Sequence, residues 1–370
     1  MFTVSWTIWP AAAPADLDSP DAWAIHGDAA VRRAVELDRL GHDDLATRAL
    51  EILTHLQMQA HSRKVELVAV PEGVAAPTAA DVVGYAYASM PLTSNPHLAY
   101  VGVEVHPDHR GHRAGSTLLA EAERVATEDG RTVLLSWAEQ VGEPDVDDPD
   151  ALEPPTGSGR IRASDPSTRL ALSRGYVLEQ AERYSVLHLP VDPGLLVALH
   201  DDAAALAGND YRLRTWVGDT PEPEVEQIAA LRTQMSTDVP RAGLSMEEDP
   251  WDADRVRTAD ERLTRSGLSS LTTAVEHLPS GDLVGYSRLE SPLDRPEAAF
   301  QEDTIVLAAH RGHRLGMLIK SHQLLQLRQL RPGTRRIHTW NAEENSHMLA
   351  INVVLGFRPT GVVGTWQKRL

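Results

Sequence analysis

A seven-residue stretch occurs twice in the chain. The copies are His109-Arg110-Gly111-His112-Arg113-Ala114-Gly115 and His310-Arg311-Gly312-His313-Arg314-Leu315-Gly316, 201 positions apart and identical at six of seven positions. Each follows a strand-like run (Tyr100 to Val105; Asp303 to Leu307) and opens a helix-like run (Ser116 to Glu128; Met317 to Leu330). A short Gly- and Arg-rich bend of this kind can cradle phosphate. The amides at a helix start lack intrahelical acceptors, the helix dipole adds about half a positive charge there, and anions settle on that end. The arginines add charge and forked donors. The paired histidines have a spacing that metal ligands also use, but no His-Glu-x-x-His pattern or third ligand accompanies them, and the repeat accounts for their recurrence. No metal is expected. No Gly-Lys-Ser/Thr follows the glycines, which excludes a nucleoside-triphosphate loop.

The elements that must hold these bends also recur. In the first half, Phe2 to Trp9 reads as an edge strand, and Asp21 to Leu40 and His42 to Gln59 as helices. Val65 to Val70, Val82 to Met90 and Leu98 to Val105 read as strands. Leu118, Leu119, Ala122, Val125 and Ala126 fall on one face of the helix after the bend. Thr132 to Trp137 is a strand, and Asp165 with Pro166 starts a short helix. In the second half, Tyr211 to Val217 is a strand and Glu222 to Thr237 and Trp251 to Ser266 are helical. Strands flank the Ser280-Gly281-Asp282 turn, a further strand runs over Arg335 to Asn341, and a helix over Asn345 to Leu355. Val83-Gly84-Tyr85 matches Val284-Gly285-Tyr286 in the same register, and Gly175-Tyr176 matches Gly356-Phe357 with an offset shorter by about twenty residues. The first half therefore carries an insertion. Seven carboxylates and no base between Glu139 and Glu153 mark it as a solvated loop without fixed structure. The expected organisation is residues 1–190 with the acidic insertion at about 139–160, a linker helix over 191–209, and residues 210–370.

The chain has 370 residues, room for two cores. A net charge of -18 argues against a nucleic-acid partner and suits cationic ones such as amines. The absence of cysteine excludes disulfides, thiolate metal sites and a cysteine nucleophile. Met1 to Pro14 has neither a basic residue nor a long apolar run, so no signal peptide or membrane span is expected, and a cytoplasmic location follows.

Val105 to Gly115 and Val306 to Gly316 resemble the acetyl-CoA pyrophosphate loop of the GNAT acyltransferase superfamily, Arg/Gln-x-x-Gly-x-Gly/Ala, with Arg113 and Arg314 in place of the middle glycine. Asn341, Asn345 and the Asn352-to-Phe357 run add the family's late signature. The arrangement is similar to the two-domain actinobacterial type that includes mycothiol synthase. The resemblance implies an α/β (α+β) fold of two tandem GNAT domains, each a mixed, mostly antiparallel twisted sheet flanked by helices. It implies central strands that splay apart, Val101–Val105 from Val133–Trp137 and Thr304–Leu307 from Ile337–Asn341. The pantetheine arm of CoA would lie in the gap on Val103, Val105, Ile305, Val306 and Leu307. Its diphosphate would rest on Arg110, Gly111, His112, Arg113, Ala114, Gly115 and Ser116, or on Arg311, Gly312, His313, Arg314, Leu315, Gly316 and Met317, with Asn341 beside the arm.

The implied chemistry is transfer of an acetyl group from acetyl-CoA to a primary amine, of a small acceptor, by direct attack in a ternary complex. A free amine titrates near about 10, so a base or water must take its proton. Asp303, Glu343 and Glu344 are the base candidates. Many family members use a tyrosine as general acid four residues before the late glycine; here Ala171 and Asn352 hold those positions. Asn345 near the cofactor sulfur, or else as a helix cap, and His347 are the remaining candidates. The second domain keeps Asn341, Asn345 and the Leu-Gly-Phe turn and is expected to be the catalytic one. Two rival readings are a non-catalytic acyl-CoA-binding protein and an N-acetyltransferase acting on a protein amine.

Overall fold

A computed structural model describes residues 5–370; Phe2 to Val4, part of the expected first strand, lie outside them. In chain order the regular elements begin with β1 (Trp6–Pro10), α1 (Trp23–Leu40), α2 (Ala49–Gln57), β2 (Ser62–Pro71), β3 (Gly84–Pro91), β4 (Leu98–Val105) and α3 (Ala114–Glu128). Next come β5 (Val133–Val141), β6 (Ala151–Leu152), β7 (Ile161–Arg162), α4 (Pro166–Ser173), β8 (Val177–His188), α5 (Pro193–Ala207), β9 (Tyr211–Val217), α6 (Val225–Asp238) and α7 (Ala253–Arg265). The chain ends with β10 (Leu268–His277), β11 (Asp282–Pro292), β12 (Ala298–Val306), α8 (Leu315–Leu330), β13 (Arg336–Ala342), α9 (Ser346–Leu355) and β14 (Arg358–Arg369).

These elements form two compact units. One takes the chain up to Ala181 together with Arg241–Met246 and Val362–Leu370; the other takes Glu182–Pro240 and Glu247–Gly361. Strands β8 and β14 thus each serve both units. The stretch 191–209 holds α5, which packs Leu196, Ala203 and Ala207 into the second unit's core.

In the first unit the strand order is β1-β2-β3-β4-β5, followed by the last part of β14. Pairing is antiparallel through β4, and β4 meets β5 in parallel. Successive side chains of β2 alternate between faces. Leu67 and Ala69 meet α3 through Leu118, Leu119, Ala122 and Ala126, the face that the sequence periodicity marks. Val68 and Val70 meet α1 through Ala24, Val31 and Val35. The second unit repeats the plan with the end of β8, then β13-β12-β11-β10-β9. Its α8 packs Leu318, Ile319, Leu324 and Leu327 on one face of the sheet. Val225, Ile228 and Leu231 of α6, with Val256 of α7, cover the other.

Two expectations change. The helix expected from His42 starts at Ala49, because Asp43 to Ala46 closes a turn (Ala46 N–H to Asp43 O, 3.1 Å) and Glu51 caps the Arg48 amide (3.1 Å). The acidic insertion is ordered rather than structureless. Strands β6 and β7 pair, Arg160 bonds Glu143 at 2.7 Å and Arg162 bonds Asp148 at 3.1 Å. Arginines from beyond the acidic run neutralise it, which a count restricted to Glu139–Glu153 misses.

Candidate active site

Both units open a gap between their central parallel strands. β4 and β5 pair only from Leu98↔Val133 to Tyr100↔Leu135, and β12 and β13 only from Ala298↔Arg336 to Phe300↔His338. Beyond those pairs the facing backbone edges part. In the second unit, Leu307 donates its N–H to Val284 O on β11 at 2.9 Å. By antiparallel alternation Ile305 also turns its backbone groups to β11, and Thr304 and Val306 turn theirs to the gap. Of the expected residues Ile305, Val306 and Leu307, Val306 therefore faces the gap, together with Thr304, and Ile305 and Leu307 face β11. In the first unit the same test (His106 N–H to Val83 O, 2.8 Å) leaves Val103 and Val105 facing the gap.

The two bends are alike in backbone. Gly111 and Gly312 sit at φ 83° and 88°, where a side chain is strained, and a Cβ at either would meet nothing. Arg113 and Arg314 hold φ 66° and 56°, the left-handed conformation a glycine would take freely. The missing middle glycine is therefore replaced in sequence but not in geometry. Neither α3 nor α8 has a side-chain N-cap. The α8 ladder opens with Leu318 N–H on Arg314 O (3.0 Å), so the amides ahead of it remain available to an anion.

Arg110 and Arg311 act differently from the simple expectation. Each turns back so that Nε donates to the strand-end carbonyl, Val105 O at 3.3 Å or Val306 O at 3.1 Å. Each also pairs at 2.7 Å with an aspartate ending a helix, Asp38 or Asp238. They pin the bend to strand and helix. The exposed Arg314 carries no ion pair among the described residues.

In the second unit the bend opens on a cavity of about 690 Å³. Thr304, Ile305 and Val306, the loop from His310 through Met317 apart from His313, and Met235, Val239 and Pro240 line it. Glu344, Asn345, His347, Ile351 and Val354 complete it. The mix of free helix-start amides, an unpaired strand edge and apolar side chains fits a cofactor with a diphosphate at one end and an amide-bearing thiol arm at the other. His310, bonded through Nδ1 to Tyr211 OH at 3.0 Å, is held below the usual histidine range by partial burial and by His277 and His313.

The predicted chemistry residues separate. Glu344 and Asn345 reach the cavity. Asn345 is also the N-cap of α9, its Oδ1 accepting from Met348 N–H at 3.3 Å, which leaves the Nδ2 group for other use. Asp303 is not among the cavity-lining residues; it accepts from the buried Tyr286 OH at 2.7 Å. Glu343 is held by Arg183 in a two-bond pair, 2.7 Å each, and is no free base. Trp340 stacks on Tyr184 at 5.2 Å. Among the described residues no cluster of three or more His, Cys, Asp or Glu could hold a metal ion.

Sequence reasoning missed Lys320, fully buried on α8. Its Nζ donates to Asn352 Oδ1 at 2.7 Å, and Asn352 Nδ2 donates to Asn341 Oδ1 at 2.7 Å. The signal was present: Lys320 and Leu119 are each the sixth residue of corresponding helices, and a lysine stands where the repeat has leucine.

Comparison with known proteins agrees with this geometry. Residues 45–145 match the Acetyltransferase (GNAT) family. A tandem GNAT protein from the clavulanic acid biosynthesis pathway superposes with a TM-score of 0.71 at 22% identity, covering 99% of this chain and 98% of that one. The chain has the tandem GNAT fold. A GCN5-related N-acetyltransferase from Sphaerobacter thermophilus gives a TM-score of 0.59 at 15% identity, with 98% of this chain and 95% of that one covered. No curated protein matches the chain in sequence. The family match lies within the first unit, and no described helix is long and apolar enough to cross a membrane.

Proposed function

We propose that the protein transfers an acetyl group from acetyl-CoA to a primary amine of a small acceptor, and that the second unit does the chemistry. The observation that carries this reading is the cavity, which joins the uncapped start of α8 to the unpaired edge of β12 and the first turn of α9. The amides from Gly312 to Met317, with Arg314, would hold the diphosphate, and the outward backbone groups of Thr304 and Val306 would hold the arm. Bound acetyl-CoA supplies an activated thioester. Glu344, which lines the cavity, would take the proton of an attacking amine, directly or through water. A net charge of -18 attracts cationic acceptors.

Calorimetry with acetyl-CoA, combined with thiol release across a panel of small amines, tests the reading. Acetyl-CoA should bind, and at least one amine should release free CoA. Gly312→Val should weaken binding by about tenfold or more, because a branched side chain resists φ 88° and covers the amides. Failure of acetyl-CoA to bind would end the proposal. Binding with no thiol release would favour the rival acyl-CoA-binding protein, for which the asparagine at the family's tyrosine position, Asn352, is the supporting observation.

A further inference from the structure

Lysine is scarce in this chain: Lys64, Lys320 and Lys368 are the only ones. One of the three is buried to 2% exposure inside the second unit. Its surroundings are unusual for a cation. From α9 it meets the Asn352 amide, and from the turn after α9 the Phe357 ring at 5.4 Å. Among the described residues no carboxylate pairs with it, and no charged group on α5, α9, β10, β11 or β12, the elements packed on α8, adds to the effect of burial, which alone lowers its ionisation to about 7. A buried cation without a counter-ion destabilises a fold, and hydrophobic replacement generally helps.

The other unit shows that the architecture does not need it. Leu119 occupies the place of Lys320, each the sixth residue of its helix. Ala171 precedes Gly175-Tyr176 as Asn352 precedes Gly356-Phe357, and Ala138 follows Trp137 as Asn341 follows Trp340. All three polar residues of the second unit are thus apolar in the first, where Leu119, Ala138 and Ala171 belong to one hydrophobic cluster. None of the three polar residues is itself among the cavity-lining residues; they lie in the unit whose bend opens on the cavity.

The direction of the hydrogen bonds is fixed by chemistry. While Lys320 is protonated its ammonium only donates, so Asn352 turns its oxygen to Lys320 and its NH₂ to Asn341. Asn341 then accepts through Oδ1, which leaves its own NH₂ as the donor at the end of the chain, with no partner among the described residues. Asn341 lies on β13 beyond the last pair with β12, on the gap.

Resting on the acyltransferase reading above, we infer that Lys320 and Asn352 are positioning residues that polarise and aim the Asn341 amide as the donor for the departing thiolate of CoA. The chain stands in for the missing phenol. In the reaction the acyl carbon–nitrogen bond forms and the carbon–sulfur bond breaks; the electron pair stays on sulfur, and the amine proton leaves to the base or to water. The relay transfers no proton: it offers a hydrogen bond, strengthened by the ammonium through two aligned amides.

The test uses the full chain with ¹³C-labelled lysine, which gives three side-chain signals, the Lys320 signal being assigned with Lys320→Met. Calorimetry first establishes that CoA and desulfo-CoA bind; if neither does, the acyltransferase reading fails. With both bound, the Lys320 titration midpoint should be near 7 in the free protein, rise with CoA and stay unmoved with desulfo-CoA. Equal midpoints with the two ligands, or an ordinary lysine midpoint in the free protein, overturn the relay. In turnover, Lys320→Met should lower kcat about 10- to 100-fold with the acetyl-CoA KM within about twofold. If that variant does not fold, the triple change Lys320→Leu, Asn341→Ala, Asn352→Ala copies the first unit's own solution and should show the same split. Unchanged kcat in a folded variant refutes the proposal.

Discussion

The two units share a bend but fill the space beside it in opposite ways. In the first, Arg39 follows Asp38 at the end of α1 and bridges the parted strands, reaching Glu139 on β5 at 2.8 Å and Glu104 on β4 at 3.7 Å while also holding Glu36. Burial, with Glu139 and Glu104 nearby, raises the Glu36 carboxyl to about 7. Next to it Arg32 pairs with Asp28 and lies 3.7 Å over the Tyr85 ring. In the second unit Val239 follows Asp238 in the equivalent place and lines the cavity. The strands differ too. β3 and β4 keep one register from Gly84↔Val105 to Ser89↔Tyr100, but β11 and β12 slip between Ser287 and Leu289, so β12 carries one extra residue near Glu302 and Asp303. A bulge bends its strand and re-aims the residues around it. Duplication of a fold therefore need not duplicate a site: ion pairs tie one gap together, and an apolar wall with a bulged strand leaves the other open.

Exchanging the two solutions should have the largest effect. Val239→Arg places the first unit's bridging cation in the second unit's cavity, and turnover should drop about a thousandfold with little loss of stability. Normal acetyl-CoA binding by this variant would show that the cavity is not the cofactor site. Lys320→Met should next stabilise the fold, by about 3 kcal/mol at pH 6, since a buried charge is removed. The advantage should shrink between about pH 7 and 10.5. In that window the unfolded lysine, at its ordinary value of 10.5, binds a proton that the folded one, near 7, does not, so wild-type stability rises with pH relative to the variant. Denaturant titrations at several pH values would expose a flat difference.

Arg39→Met should destabilise the first unit by about 3 kcal/mol at pH 8, because buried carboxylates lose their common cation. The loss should be smaller at pH 5, where Glu36, with its raised carboxyl, is protonated. Thermal melts at the two pH values decide this, and an equal loss at both would refute the bridging role. Arg314→Gly should have the smallest effect, a gain of about 1 kcal/mol as φ 56° is relieved. Acetyl-CoA affinity should weaken a few-fold as one cation leaves the bend; tighter binding would contradict the role assigned to Arg314.

Much of this could be read before any coordinates. The repeated bend, its place between strand and helix, the insertion in the first half and the buried face of α3 are all local patterns. They follow from residue spacing over a few turns, where side-chain direction is set by the element's own period. The Asp165 cap of α4 was legible for the same reason, and its carboxylate accepts from Ser167 N–H at 2.8 Å. The ion-paired acidic hairpin was not, because Arg160 and Arg162 act on carboxylates more than ten residues away. The strand register was legible at the bend, where the 201-residue offset carries the Gly84↔Val105 pair onto Gly285↔Val306, but the slip between Ser287 and Leu289 farther along β12 was not, because no local pattern records it.

By itself, then, the sequence determined two copies of a strand–bend–helix unit with amides and arginines ready for an anion. Only the tertiary structure decided which copy keeps open space beside that bend. Arg39 and Val239 acquire their meaning from the strands they meet, and Lys320 from two amides on separate elements. Such groups are adjacent through packing rather than along the chain, and contacts between distant residues, not periodicity, decide whether a gap is bridged or left open.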